Sequence, residues 1–407
     1  MKMLLSISWR NIWRHPARSG VLLAAITAGL WAGILVSAWV NGLVVQRVDR
    51  VINEELTHLQ IHHPDFQAER EPGMYIDHTD EIFLFLQEDE RIRSFAARTL
   101  VDGMIQSPLT ASGVQISGIQ TDKEPETTNF HQNIIEGEYL DADIRNPVFI
   151  GKQLADKLNM EIGNRVVLSF QDLDNELVSG AFNITGIFET GQPAFDERKV
   201  YVRSDDLSSL IAERPVYHQI AVILHDESDS KIIADALNDR FESIIAETWT
   251  ELSPEMRYMV EAGGGAYMFY IMLVIMFALA FGILNTMLMA IFERMRELGM
   301  LLAIGMSKMR VFFMIMLESV ILTLTGGVLG MFVAYLTVSY LGKYGLDLTS
   351  VGGDTLGEWG YDALVYPFVT PQEYLSVTIL VIATAMLAAV YPAIKALRLN
   401  PGEVVRE

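Results

Sequence analysis

Charge in this chain is segregated. Four stretches, residues 19–46, 262–292, 319–342 and 374–394, contain no Asp, Glu, Lys or Arg. Each is long enough, at ~1.5 Å per helical residue, to cross a hydrocarbon core of ~30 Å. Between the first and the second lies the acid: residues 44–264 hold 41 acidic and 18 basic side chains, and the rest of the 407-residue chain holds 10 and 12. A sequence that is 51% hydrophobic with a net charge of -21 therefore reads as an integral membrane protein with one large acidic polar domain. A soluble enzyme, a disordered chain and a nucleic-acid binder are excluded, because the apolar content is high and the few basic residues are scattered.

Lys and Arg near span ends favour the cytoplasmic side. The N-terminal segment carries Lys2, Arg10, Arg14 and Arg18 without an acid, the loop after the second span carries Arg294, Arg296, Lys308 and Arg310, and the tail carries Lys395, Arg398 and Arg406. The 341–371 loop carries only Lys343. The expected layout is a cytoplasmic amphipathic segment at 1–19, spans at 20–46, 263–292, 311–341 and 372–394, a cytoplasmic helix at 293–310, an outer loop at 342–371 and a cytoplasmic tail at 395–407. Both termini are then inside and the 47–262 domain is outside. The uncharged run at 19–46 exceeds the 7–15 residues of a signal-peptide core, so the first span is expected to be retained. The chain has no cysteine, so disulfides and thiol chemistry are unavailable.

Within the acidic block, "HLQIHHP" (58–64), "GVQISGIQ" (113–120), "RVVLSF" (165–170), "AFNITGIF" (181–188), "KVYV" (199–202) and "HQIAVIL" (218–224) read as strands. "IGKQLADKLN" (150–159) and "DSKIIADALNDRF" (229–241) read as helices. The predicted fold class is a four-span α-helical membrane domain with an α+β extracytoplasmic domain inserted between spans one and two. A β-α-β element is expected at 218–252 and a candidate β-rich sub-domain at about 121–200. His58, His62, His63 and His78 lie close in sequence, but strand alternation turns His63 away from His62 and no further ligand completes a metal shell. The acidic pairs Asp172/Asp174 and Asp205/Asp206 read as solvated surface. There is no nucleophile elbow and no phosphate-binding loop, so no catalytic residue and no metal or cofactor is expected on this chain.

The stretch "FERMRELGMLLAIGMSKMRVFFMIMLESV" (292–320) is the most informative. By pattern it is a short amphipathic helix at the inner membrane surface, an anchor or a docking element. Its order "ERMRELGMLLAIGMS" resembles the E-R-x-x-E-I-G-x-L-x-A-[IL]-G-[AM]-[ST] stretch of the FtsX-like permease family of ABC transporters, which includes LolC, LolE, FtsX and MacB. "SISWRNIWRHPARSGVLLAAITAGL", "MLESVILTLTGGVLG" and "YPAIKALRLNPGEVVRE" resemble the opening, third span and close of that family, and "HLQIHHPDF" resembles a stretch of its lipoprotein-releasing branch, with Thr57 where that branch has Gly.

The resemblance implies a non-catalytic permease in the bacterial inner membrane that converts cytoplasmic ATP hydrolysis into movement outside. Its implied partners are two cytoplasmic ATPase subunits that bind ATP and Mg, a second permease, a periplasmic carrier or adaptor, and a lipoprotein or other amphipathic substrate drawn from membrane lipid. About 20 residues precede the first span, so the ATPase is expected on a separate chain. Glu293, Arg294, Glu297, Gly299, Gly305, Met306 and Ser307 match the coupling motif. Gly263, Gly264 and Gly265 precede span two as a hinge or plain linker. Ala25, Gly29 and Gly33 on span one and Gly326 and Gly330 on span three form small-residue faces for packing within the chain or between permeases. Leu30, Ile34, Ile271, Ile275 and Leu279 are expected to line a substrate entrance. Glu318 in span three is read as structural or coupling-related, lying at the inner interface near Arg310 or Lys308, or else as a proton or substrate group. A MacB-like exporter and an FtsX-like signalling permease are the alternatives to lipoprotein extraction.

Overall fold

The computed structural model describes residues 14, 16–140, 144–212, 214–261, 265–350, 356, 361 and 363–397. The chain divides into a unit comprising Met1–Val44, Glu261–Asp347 and Leu364–Glu407 and a unit comprising Val45–Val260 and Leu348–Ala363. Helix α1 (Pro16–Val51) continues as a π-helical turn, Ile52–Leu56.

The acidic unit then runs β1 (Leu59–His62), α2 (Thr79–Glu88), β2 (Ile92–Gln106), β3 (Ala111–Ile119), β4 (Ile134–Gly137), β5 (Pro147–Gly151) and α3 (Lys152–Leu158). It continues with β6 (Arg165–Gln171), β7 (Leu177–Phe188), β8 (Lys199–Arg203), α4 (Ser204–Ile211), β9 (Gln219–Leu224), α5 (Ser230–Arg240) and β10 (Ile245–Thr248).

Two lobes share one strand. In the first, β10-β1-β9-β2 lie side by side, every neighbour antiparallel. Because β9 and β10 both pair with β1, the predicted β-α-β element is split by a strand, and with β1, α2 and β2 it makes a β-α-β-β-α-β unit. Leu59, Ile61, Ile220 and Val222 of the sheet pack on Ile82 and Leu86 of α2 and on Ile233 and Leu237 of α5.

In the second lobe, the pairings run β2-β3-β8-β5-β7-β6 and return to β2, closing a six-stranded barrel that removes the sheet edges. Alternate residues such as Val114, Ile116, Leu168, Phe182 and Val200 fill it, and α3 and α4 plug it with Leu154, Leu158, Leu207 and Ile211. A Cβ at Gly103 would stand 2.5 Å from the Ser169 carbonyl oxygen, so only glycine permits β2 to approach β6 there. The sub-domain expected at 121–200 is therefore not a separate body. Within it β6 is hydrogen-bonded to β2 and β8 to β3, and the barrel begins with the second half of β2.

The 15 residues of β2 serve both lobes: Ile92 to Arg98 pair with β9, and Thr99 to Gln106 pair with β3. The changeover falls between Arg98 and Thr99.

In the membrane unit, α6 (Gly265–Glu293) leads to α7 (Met295–Ala303) and α8 (Lys308–Tyr344). A two-residue ladder, β11 (Leu346–Asp347) with β12 (Leu364–Val365), precedes α9 (Pro371–Leu397). Among the described residues, α1, α6, α8 and α9 are the helices long and apolar enough to cross a membrane. Their shared interior includes Leu30, Ile34, Ile283, Leu322, Val381 and Ala389. Of the expected hinge, Gly263 and Gly264 lie outside the described residues, and Gly265 opens α6.

Candidate functional site: an elbow joining two spans

The elbow begins where α6 ends. Arg294 leaves helical geometry at φ -101 and ψ 12, yet its carbonyl still accepts from the Leu298 N–H at 2.9 Å, so α7 starts at once in a new direction. At the far end, Met306 N–H donates to the Leu301 carbonyl at 3.0 Å and Gly305 N–H to the Leu302 carbonyl at 3.2 Å. This 6→1 and 5→2 pair is a Schellman closure, which needs a left-handed residue, and Gly305 stands at φ 96. Ser307 follows in extended geometry, and its carbonyl accepts from Arg310 and Val311 as the first turn of α8. The expected 293–310 helix is thus shorter: Gly305 stops it and Lys308 already belongs to α8.

Arg294 points back into the unit. Its Nη1 donates to both carboxylate oxygens of Glu318, at 3.1 and 3.0 Å, and each side chain is only 9% exposed. The sequence placed Glu318 near Arg310 or Lys308. Those residues precede it by eight and ten positions on one straight helix, about 12–15 Å along the axis, beyond side-chain reach. The turn at Arg294 brings in a cation from the preceding helix instead.

Leu298 and Gly299 of α7 are buried, while Met300 and Ile304 are exposed, Ile304 by 81%. Arg14 and Glu297 form an exposed ion pair at 3.5 Å, and Lys395 lies over the Phe292 ring at 4.9 Å. Between α6, α7 and α8 a cleft of about 460 Å³ is lined by Met287, Ile291, Leu301 and Met314, with Arg294 and Glu318 at its polar end.

The small-residue faces make contacts within the chain. A Cβ on Gly326 would stand 3.0 Å from Ile26, and one on Gly330 3.0 Å from Leu30 and 3.1 Å from the Thr27 carbonyl. Thr27 Oγ1 donates to the Gly326 carbonyl at 3.2 Å. A Cβ on Gly29 would meet Leu279 at 2.8 Å, and one on Gly33 would meet Val377 at 3.3 Å. Helix α1 therefore touches each of the other three spans, α8 through Ile26 and Leu30 and α6 and α9 through Gly29 and Gly33. The residues expected at a substrate entrance take part in the same packing. Leu30, Ile34 and Leu279 are buried in the helix interior and Ile275 packs against it, leaving Ile271 as the exposed member.

The histidines do not converge. His58 Nδ1 accepts from the Leu224 N–H, His63 Nδ1 from the Asp65 N–H, and His78 starts α2 in the left-handed region. Among the described residues no three His, Asp or Glu groups could hold a metal. Sequence reasoning missed a buried polar cluster in the acidic unit, where Arg98 grips Glu124 through Nη2 at 2.5 Å and Nε at 3.2 Å. The available signal was an arginine interrupting the apolar run "FAARTLV".

The family described as MacB-like periplasmic core domain matches residues 19–240, and FtsX-like permease C-terminal matches 269–401. The lipoprotein-releasing system transmembrane protein LolC of Neisseria meningitidis is 21% identical over 405 residues, 95% of this chain and 93% of that one. The ABC transporter permease YtrF of Bacillus subtilis is 30% identical over 30% of this chain, and the macrolide export protein MacB of Sodalis glossinidius 28% over 33%. The chain spans 27% of YtrF's length and 18% of that MacB's. With more than half of its residues matched by the MacB-like core and the FtsX-like segment following in the same order, the chain belongs to the FtsX-like, MacB-like family of ABC transporter permeases.

Proposed function

We propose that this chain is the permease subunit of an ATP-driven complex that extracts lipoproteins from the bacterial inner membrane. In this reading both termini and the elbow face the cytoplasm, following the distribution of Lys and Arg, and the acidic unit is periplasmic. The sequence holds no phosphate-binding loop, so ATP and Mg belong to partner ATPase subunits, two per complex, with a second permease of the same or a related kind. The observation that carries the reading is the elbow. The nine-residue α7 is clamped to α8 by the buried Arg294–Glu318 pair and offers Met300 and Ile304 on its open side. Such an element receives a push from a docked ATPase and passes it to two spans together. Lipoprotein release is favoured over the other branches because the likeness to LolC runs over nearly the whole of both chains, whereas the likenesses to YtrF and MacB cover a third of this chain or less.

The test is affinity purification of the tagged chain from detergent-solubilised native membranes with mass spectrometry of what accompanies it. A separate ATPase, a second permease and acylated lipoproteins are expected. An ATPase with a periplasmic adaptor and no lipoprotein would replace this reading with a MacB-like exporter, and one with a cell-wall hydrolase with a signalling permease. Absence of any ATPase would overturn all three.

A further inference from the structure

Where β2 changes partners, the sheet opens. Strands β1 and β9 follow one lobe and β3 and β8 the other, leaving a crevice of about 170 Å³, far more than the ~10–15 Å³ that one water needs. Its walls are the polar faces of these strands: Gln60, His62, Arg98, Gln115, Lys199 and Tyr201. A neighbouring recess of about 350 Å³ shares Arg70, Gln115 and Lys199 with it and adds Arg198 and Asp102, giving a cationic way in.

Each wall is partly satisfied and retains donors. Arg98 is engaged with Glu124 and with the Glu55 carbonyl at 3.3 Å, using three of its five N–H groups. Lys199 meets Gln115 and, at 3.4 Å, Glu55, leaving the third ammonium hydrogen. Burial and the nearby Arg98 and Arg70 charges hold Lys199 below the ordinary lysine range, against the opposing pull of Glu55.

His62 is more telling. Arg70 Nη2 donates to Gln67 Oε1 at 3.2 Å, which turns the Gln67 amide nitrogen toward His62 Nε2, also at 3.2 Å. The ring is wholly buried, and burial together with Arg70 and Arg98 drives its pKa to about 3, so it is neutral. With Nε2 accepting, the proton is on Nδ1, and among the described residues that atom is buried without a partner. A buried donor left unmade is costly and calls for an acceptor. In a unit rich in acid, this crevice presents Arg70, Arg98 and Lys199 against Glu55 and the Arg98-held Glu124, one cation in excess.

We propose that the crevice binds a small oxyanion, a phosphate or carboxylate group, held by Arg98 and Lys199, with the His62 ring turning so that its buried Nδ1–H meets the anion. The site is independent of the transport reading, because it rests only on the acidic unit's own geometry.

The test is isothermal titration of the full chain in detergent with inorganic phosphate, with glycerol 3-phosphate as a lipid-headgroup fragment, and with succinate. Saturable binding of at least one at one site per chain is expected, and preference for glycerol 3-phosphate over phosphate would identify a headgroup. H62F and K199Q should each weaken it about tenfold or more, the scale of one charge-assisted hydrogen bond. If either variant fails to fold, protection of Lys199 in the unaltered chain from amine acylation by the same anions gives the answer. Absence of binding by all three, or affinities unchanged in the folded variants together with no protection, overturns the proposal.

Discussion

Replacing Glu318 by alanine would remove the carboxylate that the buried Arg294 guanidinium contacts at 3.0 Å. The pair is short, 3.0–3.1 Å, and both side chains are 9% exposed. It therefore falls in the class where removing one partner costs about 3–5 kcal/mol, mostly the desolvation of the charge left behind. The Arg14–Glu297 pair, with side chains 66% and 41% exposed, falls in the class worth about 0–1 kcal/mol. Unfolding in mixed micelles with increasing dodecyl sulfate measures both. Glu318→Ala is expected to lose several kcal/mol and Glu297→Ala less than about 1. The decisive comparison is the double variant Arg294→Met, Glu318→Leu, which removes both charges at similar volume and should recover most of the loss, giving a coupling energy of opposite sign to the single changes. If Glu318→Ala behaves like Glu297→Ala, or if the double variant is as poor as the sum of its singles, the pair is not the clamp described here.

Other consequences follow from single positions. Gly305→Ala places a side chain at φ 96 and is expected to cost about 1 kcal/mol or more, with ATP-driven activity of the reconstituted complex falling further than binding of the ATPase. Gly330→Leu forces a branched chain into a contact already at 3.0 Å from Leu30, an overpacking of about 1–3 kcal/mol, read as a lower unfolding midpoint in the same micelles. In the acidic unit, burial drives His62 to about 3 and His218 to about 4. The unfolded chain therefore takes up protons near pH 6.5 that the folded one refuses, and stability is lost as pH falls from about 6.5 toward 4. Asp196 opposes this. Burial raises it to about 6, so its contribution is present below the unfolded value and is lost as pH rises through 6. Asp196→Asn should consequently steepen the loss of stability between pH 6 and 4, as measured by denaturant titration at each pH.

The spans were legible because lipid tolerates few charges: the four uncharged runs coincide with α1, α6, α8 and α9 apart from their ends. The strands with a clean apolar alternation, such as 165–170, or a β-branched and aromatic run, such as 199–202, were legible for a similar reason. Strand β2 was not, since its two halves pack into different interiors and Arg98 interrupts its apolar pattern at the changeover. The barrel was invisible because its closure joins β2 to β6, about sixty residues on, and such a pairing leaves no local trace. At the elbow the motif stretch falls on α7 and its two ends, but the partner of Glu318 depended on a backbone turn at Arg294 that no residue spacing announces. The burial of Leu30, Ile34 and Leu279 was not legible for a simpler reason: in a span, an apolar side chain facing a neighbouring helix and one facing lipid look alike in sequence.

The shared strand also sets an order on maturation. β1, the first strand of the acidic unit, has both of its neighbours, β9 and β10, at residues 219–248. A chain that has emerged only to residue 210 already possesses all six staves of the barrel, yet its leading strand still exposes two bare edges. For that interval the nascent protein is a folded barrel carrying a sticky amino-terminal flank. Proteases and holdases that act on newly made chains would find their target in residues 59–98, and a nonsense mutation shortly before residue 219 would freeze the molecule in that vulnerable form.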